Sequence, residues 1–346
     1  MKVGIIGAGA ISASHIESYR KCGATVVAIA DRNEENARAK AEKYGIPRVY
    51  TDADALLADP EVEAVSIATP VSSHRPLVVS ALEAGKHVIC EKPPAMSAAE
   101  IEEMIAARDR AGKVLQFGFV CRYRSRTAAL RRACAEGRFG KLLFCEAGRL
   151  ARTANPGGWF SDRRFTKGGT IFDAAIHEID ALLYAIGYPR LRSVRAFLGY
   201  ENPDLSDRLG TVGKHWNSAS KGSFANDVET SATVFAVTED GLPLLFRATA
   251  ATGTVEEGPY VKLTGSHGGA EQCGMGPVRM ITLGDAGFEE EEIAETAKTF
   301  DAQIAAFLAT IETGAENIAT AEDALALMRF YDAVYLSAEL GREIEM

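Results

Sequence analysis

The chain has 346 residues, 47% apolar and 25% charged, the proportions of an ordinary water-soluble protein, and it is longer than one hydrophobic core supports, so two domains are expected. Its net charge of −9, from 47 acidic against 38 basic residues, argues against nucleic acid as a partner, and no apolar run approaches the roughly 18 residues of a membrane span. The first strand starts at Val3 without room for a secretory leader, and the six cysteines show no CxxC or other metal-ligand spacing, which predicts a cytoplasmic protein with reduced thiols and no metal.

The segment from Val3 to Asp31 reads as strand, glycine turn, helix and strand. The apolar run Val3, Ile5, Ile6 breaks into Gly7, Ala8, Gly9, and apolar positions return at helical spacing at Ile11, Ile16 and Tyr19 until Gly23. Such a turn lets bare N–H groups of Gly9, Ala10 and Ile11, at a helix N-terminus, approach a pyrophosphate. Asp31 closes the next strand, Thr25 to Ala30, where a carboxylate accepts from a ribose diol. Ser12 stands where a third glycine or alanine is usual.

Helix and strand then alternate. Helices are expected at Asn33 to Tyr44, Asp52 to Ala58, Ser73 to Ala84 and, behind a Ser97–Glu100 capping box, up to Gly112; strands at Arg48 to Tyr50, Val62 to Ala68, His87 to Cys90 and Val114 to Phe119. Six short strands separated by helices predict a doubly wound parallel sheet of the Rossmann type over residues 1–122, an α/β domain. Ligands of such sheets lie outside the carboxyl ends of the strands, which singles out Gly7, Asp31, Thr69 and Glu91, with His74 close behind.

Past a linking helix, Arg124 to Glu136, the strands lengthen and alternate: Leu142 to Leu150, Ser193 to Tyr200, Val228 to Val237, Leu244 to Ala250 and Tyr260 to Thr264, with Asp240-Gly241 as a hairpin turn. With helices at Ala294 to Glu312 and Ala321 to Glu339, residues 123–346 read as an α+β domain with a mainly antiparallel sheet. The cluster Arg122, Arg124, Arg126, Arg131, Arg132 reads as a solvated helix face. The polar segment from Glu201 to Asp227 reads as a lid or a subunit contact.

Two spots carry chemistry. Lys92, in Glu91-Lys92-Pro93-Pro94, projects from the sheet edge where a nicotinamide would lie, although a loop lysine is also an ordinary surface charge. In Gly168 to Asp180, Asp173, His177 and Asp180 stand at i, i+4 and i+7 on one helix face, where carboxylates hold an imidazole in one tautomer for proton transfer; the same spacing suits a core histidine satisfied by a carboxylate. Trp159, Phe160 and Arg163 are candidates for a substrate wall, since a sugar ring stacks on an aromatic face and Arg donates to its hydroxyls; Arg122 and Tyr123 are second choices. His15, His87, His215 and His267 read as structural. Asp31 favours a free 2′-hydroxyl, hence NAD, while the adjacent Arg32 leaves NADP open.

The sequence resembles the glucose-fructose oxidoreductase, inositol dehydrogenase and MocA family of NAD(P)-dependent oxidoreductases. The resemblance runs through the GAGAIS turn with His15, ATPVSSH around Thr69 and His74, EKP at Glu91 to Pro93, GGTIFDAAIHEID at Gly168 to Asp180, and the closing AEDAL and YLSAELGR. It implies Lys92, Asp173 and His177 as the catalytic set, hydride transfer between nicotinamide and a secondary hydroxyl of a sugar, cyclitol or related polyol, and a homodimer or homotetramer whose second-domain sheets pack together. Some relatives use bound NAD transiently to cleave glycosides, which keeps a redox-neutral glycosidase as an alternative, with a non-catalytic dinucleotide sensor behind it. Val71 stands where the family often has asparagine.

Overall fold

The computed structural model describes residues 1–153, 156–201 and 223–346, which form two compact units. One holds residues 1–119 and 298–328; the other holds the remaining described residues.

The first unit contains β1 (Lys2–Ile6), α1 (Ala10–Lys21), β2 (Thr25–Ala30), α2 (Glu34–Tyr44), β3 (Arg48–Tyr50), α3 (Ala53–Leu57), β4 (Ala64–Ile67), α4 (His74–Glu83), β5 (His87–Cys90), α5 (Ala98–Ala111) and β6 (Leu115–Phe117). The strands are parallel in the order β3-β2-β1-β4-β5-β6, the Rossmann arrangement, with its switch point between β1 and β4. Near-continuous burial of β1, β2 and β4 explains their unbroken apolar runs, because helices cover both faces of such a sheet. The capping box forms one residue early: Ser97 accepts from the Glu100 amide, and Glu100 accepts from the Met96 amide at 2.8 Å.

The second unit contains α6 (Ser125–Ala135), β7 (Leu142–Leu150), α7 (Ile176–Ala185), β8 (Leu191–Gly199), β9 (Ser231–Thr238), β10 (Pro243–Thr249), β11 (Gly258–Gly265), β12 (Gly268–Cys273), β13 (Val278–Gly284) and β14 (Gly287–Ile293). After α8 (Thr299–Thr313) and α9 (Ala321–Leu340), β15 (Ile344–Glu345) completes a sheet ordered β14-β13-β12-β11-β7-β10-β9-β8-β15. Its pairings are antiparallel except β10 with β7, so the mainly antiparallel expectation holds. Ala232, Val234 and Ala236 of β9 point to the core, while the register puts Phe144, Phe197, Phe235 and Ile281 on the opposite, exposed face.

Two expectations change. The helix placed with the second domain, α8, belongs to the first unit: Ile304, Phe307 and Leu308 enter one core cluster with Ile16 and Tyr19 of α1, and the amide of Phe117 in β6 donates to Ala319 O. Arg122 and Arg126 of the supposed solvated face are each 1% exposed. The segment read as a lid or a subunit contact falls largely on residues 202–222, outside the described residues, as does His215.

Candidate functional site

Where β1 ends, Gly7 has φ +102°, and a Cβ on it would lie 2.4 Å from Ala68 O, so only glycine lets β1 and β4 pass this closely. Gly9 caps α1 without a side-chain partner, and the first turn carries no acidic residue. Gly9, Ala10 and Ile11 are partly exposed between buried Ala8 and Ser12. Open amides at the positive end of a helix fit an anionic pyrophosphate. Ser12, the departure from the glycine pattern, donates its hydroxyl to Gly9 O at 2.7 Å and braces the turn.

Asp31 reaches back to the same turn, accepting from the Ala8 amide at 2.7 Å and the Asn33 amide at 2.8 Å. Each carboxylate oxygen keeps lone pairs for a ribose diol. Arg32 is exposed beside it. Lys40 of α2, which sequence reasoning passed over, donates to Gly9 O at 3.0 Å, and burial draws its ammonium pKa down.

At the ends of β4 and β5 the structure reassigns two candidates. His74 is fully buried, with Nδ1 2.9 Å from the Pro93 carbonyl and Nε2 2.9 Å from the Thr69 carbonyl, so its one neutral-ring N–H donates to one of these two loops while the ring packs against the other. Burial pulls its imidazole below the ordinary value against those carbonyls. The Thr69 hydroxyl accepts from Ser73 at 2.8 Å. Glu91 turns inward: Oε1 meets Nε2 of buried His15 at 2.8 Å, and Oε2 accepts from the Lys92 amide at 3.1 Å. A Cβ on Gly118 would sit 3.0 Å from Glu91, which fixes that inward path. From Val88 to Ala95 Lys92 is the one partly exposed residue, and the Lys92–Pro93 peptide is cis.

The second unit presents Asp173 and His177. Thr170–Ala174 is a wide π-type turn that leads into α7, so the expected single helix face is broken. Asp180 does not flank the imidazole. It is buried against Arg122 at 2.6 Å and accepts from the Tyr188 hydroxyl at 2.6 Å. Arg122, held there over the rings of Tyr184 and Tyr188, has no exposed side-chain surface for a substrate. Glu178 is likewise taken by Arg149 at 2.9 Å. Between Gly168 and Leu183 Asp173, Ala174 and His177 alone are partly exposed, which leaves one carboxylate and one imidazole four residues apart for chemistry.

Among the remaining candidates, Trp159 and Phe160 are partly exposed and stack with centroids 3.7 Å apart. Arg163 is exposed but spends donors on Asp227 O at 2.7 Å and the Tyr200 hydroxyl at 2.7 Å. The Tyr123 hydroxyl is buried without a partner among the described residues, and burial pushes its pKa up, so it keeps its proton.

Sequence reasoning also missed Glu229, a buried carboxylate that accepts from the Gly169 amide at 2.8 Å. The only signal for it was the Gly168-Gly169 doublet, which announces a close approach without naming the neighbour. Among the described residues no group of His, Cys, Asp and Glu could hold a metal ion, and no helix is long and apolar enough to cross a membrane.

Comparison with known proteins agrees with this architecture. Residues 1–119 match the family model described as an oxidoreductase family with an NAD-binding Rossmann fold, and residues 127–271 match the C-terminal domain of the same GFO/IDH/MocA group. D-glucoside 3-dehydrogenase of Escherichia coli K12 is 30% identical over 353 residues, covering 100% of this chain and 97% of that protein. 1,5-Anhydro-D-fructose reductase of Ensifer adhaerens is 30% identical over 349 residues, covering 99% and 98%. The crystal structure of aldose-aldose oxidoreductase from Caulobacter crescentus, complexed with glycerol, superposes with a TM-score of 0.82 at 25% identity over 100% of this chain and 99% of that one. With a Rossmann unit, an antiparallel-sheet unit and full-length relatives of this kind, the chain belongs to the Gfo/Idh/MocA family of NAD-binding oxidoreductases.

Proposed function

We propose that this chain is an NAD-dependent dehydrogenase that moves hydride between the nicotinamide and a secondary hydroxyl or keto group of a ring sugar, cyclitol or related polyol. The observation that carries the reading is the partial exposure of Lys92, Asp173 and His177, the ionisable groups that reach the surface in two largely buried stretches, within a chain whose relatives are named as a glucoside dehydrogenase and an anhydrofructose reductase.

Oxidising a secondary alcohol requires a base for the hydroxyl proton and a cation beside the developing alkoxide. His177 is the base, and Asp173 orients it and holds a neighbouring hydroxyl. Lys92 supplies the positive charge. The dinucleotide, when bound, accepts or donates the hydride. Open amides at Gly9 to Ile11 receive its pyrophosphate, and Asp31 takes the ribose diol and favours NAD over NADP. The unit built on residues 1–119 thus seats the dinucleotide and the unit that carries the mainly antiparallel sheet handles the substrate, with stacked Trp159 and Phe160 offering a sugar an aromatic surface.

The protein acts in the cytoplasm as a homo-oligomer. The face bearing Phe144, Phe197, Phe235 and Ile281 is apolar enough to bury against a second copy.

The test is absorbance at the NADH band with NAD and a panel of cyclitols, aldoses, glycosides and sugar acids, with Lys92→Ala in parallel. A substrate-dependent signal lost in the variant supports the assignment. Aglycone release without net NADH would point to redox-neutral glycoside cleavage instead.

A further inference from the structure

The backbone that leads to Asp173 is held by a carboxylate. Oε1 of Glu229 accepts from the amides of Gly169 at 2.8 Å and Ile171 at 3.2 Å and from the Tyr335 hydroxyl at 3.2 Å. The main-chain oxygen of Glu229 accepts from the Thr170 amide at 3.1 Å. Three successive amides, Gly169 to Ile171, are therefore bound by one residue of the strand-side segment. These are donors that a helix start leaves without intrahelical partners.

The two glycines follow from this clamp. A Cβ on Gly168 would lie 1.5 Å from the Tyr335 hydroxyl oxygen and 3.1 Å from Oε2 of Glu229, and a Cβ on Gly169 would lie 2.2 Å from Glu229 O. Behind the turn, Phe172 packs edge-on against Tyr331 and Tyr335, and the Tyr331 hydroxyl donates to Ile171 O at 3.1 Å. Glu229 itself has no exposed surface, and its Oε2 has no partner among the described residues. A buried carboxylate with one oxygen unmatched is costly in a purely structural place, where an apolar side chain packs at lower free energy. Such a group earns retention by fixing one geometry among several.

We infer that Glu229 is a positioning residue: by clamping the amides of Gly169 and Ile171 it fixes the wide turn from which Asp173 and His177 project toward substrate. The inference rests on the reading of Asp173 and His177 as the proton-transfer pair. Reach, rather than charge, is what the clamp requires, since either a carboxylate or a carboxamide oxygen accepts from an amide.

Two variants separate these contributions, with His177→Ala as a control. Glu229→Gln keeps an acceptor at full reach. Glu229→Asp keeps the charge but withdraws it by one methylene. Each is assayed for kcat, substrate KM and dinucleotide KM, with circular dichroism to show that the assayed protein is folded. Glu229→Asp is expected to lose about 10²-fold in kcat, as for a misplacement of about 1 Å, with dinucleotide KM unchanged, while Glu229→Gln recovers most of the rate. Wild-type kcat in Glu229→Asp, or equal losses in both variants, overturns the inference. Full turnover in His177→Ala overturns the proton-transfer reading itself.

Discussion

Nε2 of His15 lies 2.8 Å from Oε1 of Glu91, and both side chains are buried inside the first unit. The Ser66 hydroxyl is 3.1 Å from Nδ1 of the same ring, and the Tyr19 hydroxyl is 2.9 Å from Ser66. If Nε2–H donates to the carboxylate, Ser66 donates to Nδ1 and Tyr19 donates to Ser66, a one-way chain in which each group is satisfied. The helix that begins at the glycine turn is thereby tied to the loop that carries Lys92. Glu91→Ala leaves the imidazole donor buried and unpaired, so it is expected to lower stability by about 1–3 kcal/mol, read as a lower urea midpoint at unchanged m-value. An unchanged midpoint would mean that the pair contributes nothing to the fold.

Lys92→Ala is expected to keep its NADH affinity, measured by fluorescence, while turnover falls about 10²–10⁴-fold, the range for loss of a group that stabilises charge or moves a proton. Lys92→Arg should not restore the rate, because a guanidinium holds its protons and projects a planar fork in place of a compact ammonium. Turnover near wild type in either variant would remove Lys92 from the reaction.

Much of this was legible because the signals are local. The glycine turn, the helix behind it and Asp31 lie within one span of chain whose apolar period switches from strand to helix and back. Arg122 was not legible: its partner Asp180 is 58 residues away, and a charged residue carries no mark of a carboxylate that folding will bring to it. The partner of His15 was hidden for the same reason, since Glu91 reaches it from the end of a strand far along the chain. The strand β14 hid behind a run of four glutamates, Glu289 to Glu292, exposed along their length, so no alternation betrayed it.

Asp31→Ser removes the carboxylate that repels a 2′-phosphate and loosens the brace on the Ala8 amide. The ratio of kcat/KM for NAD to that for NADP should fall about tenfold or more, the worth of one charge-assisted hydrogen bond of about 1.5–3 kcal/mol. Arg32, exposed alongside, is positioned to gain from the change. An unaltered ratio would place cofactor choice elsewhere.

Phe197→Asp combined with Phe235→Asp puts two charges on the open face of the second sheet. Light scattering should then show a smaller species than wild type, because burying unpaired carboxylates between sheets costs several kcal/mol. The same assembly in both proteins would exclude that face from the interface.

Burial raises the Glu229 carboxyl above its ordinary value of 4.5. The sign follows: a raised folded-state value contributes stability that is complete below about 4.5 and disappears as pH climbs through the folded value. Glutamine has no such loss. The Tm of Glu229→Gln relative to wild type should therefore improve as pH rises from about 4 to about 7. A constant difference across that range would show that Glu229 titrates like an exposed acid.

The return of α8 to the first unit has a consequence for biosynthesis. Ile304, Phe307 and Leu308 finish a core that Ile16 and Tyr19 begin, and Ala319 O takes the amide of Phe117 at the edge strand. A ribosome that has released the first 122 residues has emitted every strand of the parallel sheet but none of its closing helix. The face of α1 that carries Ile16 and Tyr19 lacks part of its cover until residues 304–308 have been made. A truncation at the end of the sheet would freeze the protein at that stage, and a stable dinucleotide-binding fragment requires the distant helix to be grafted back.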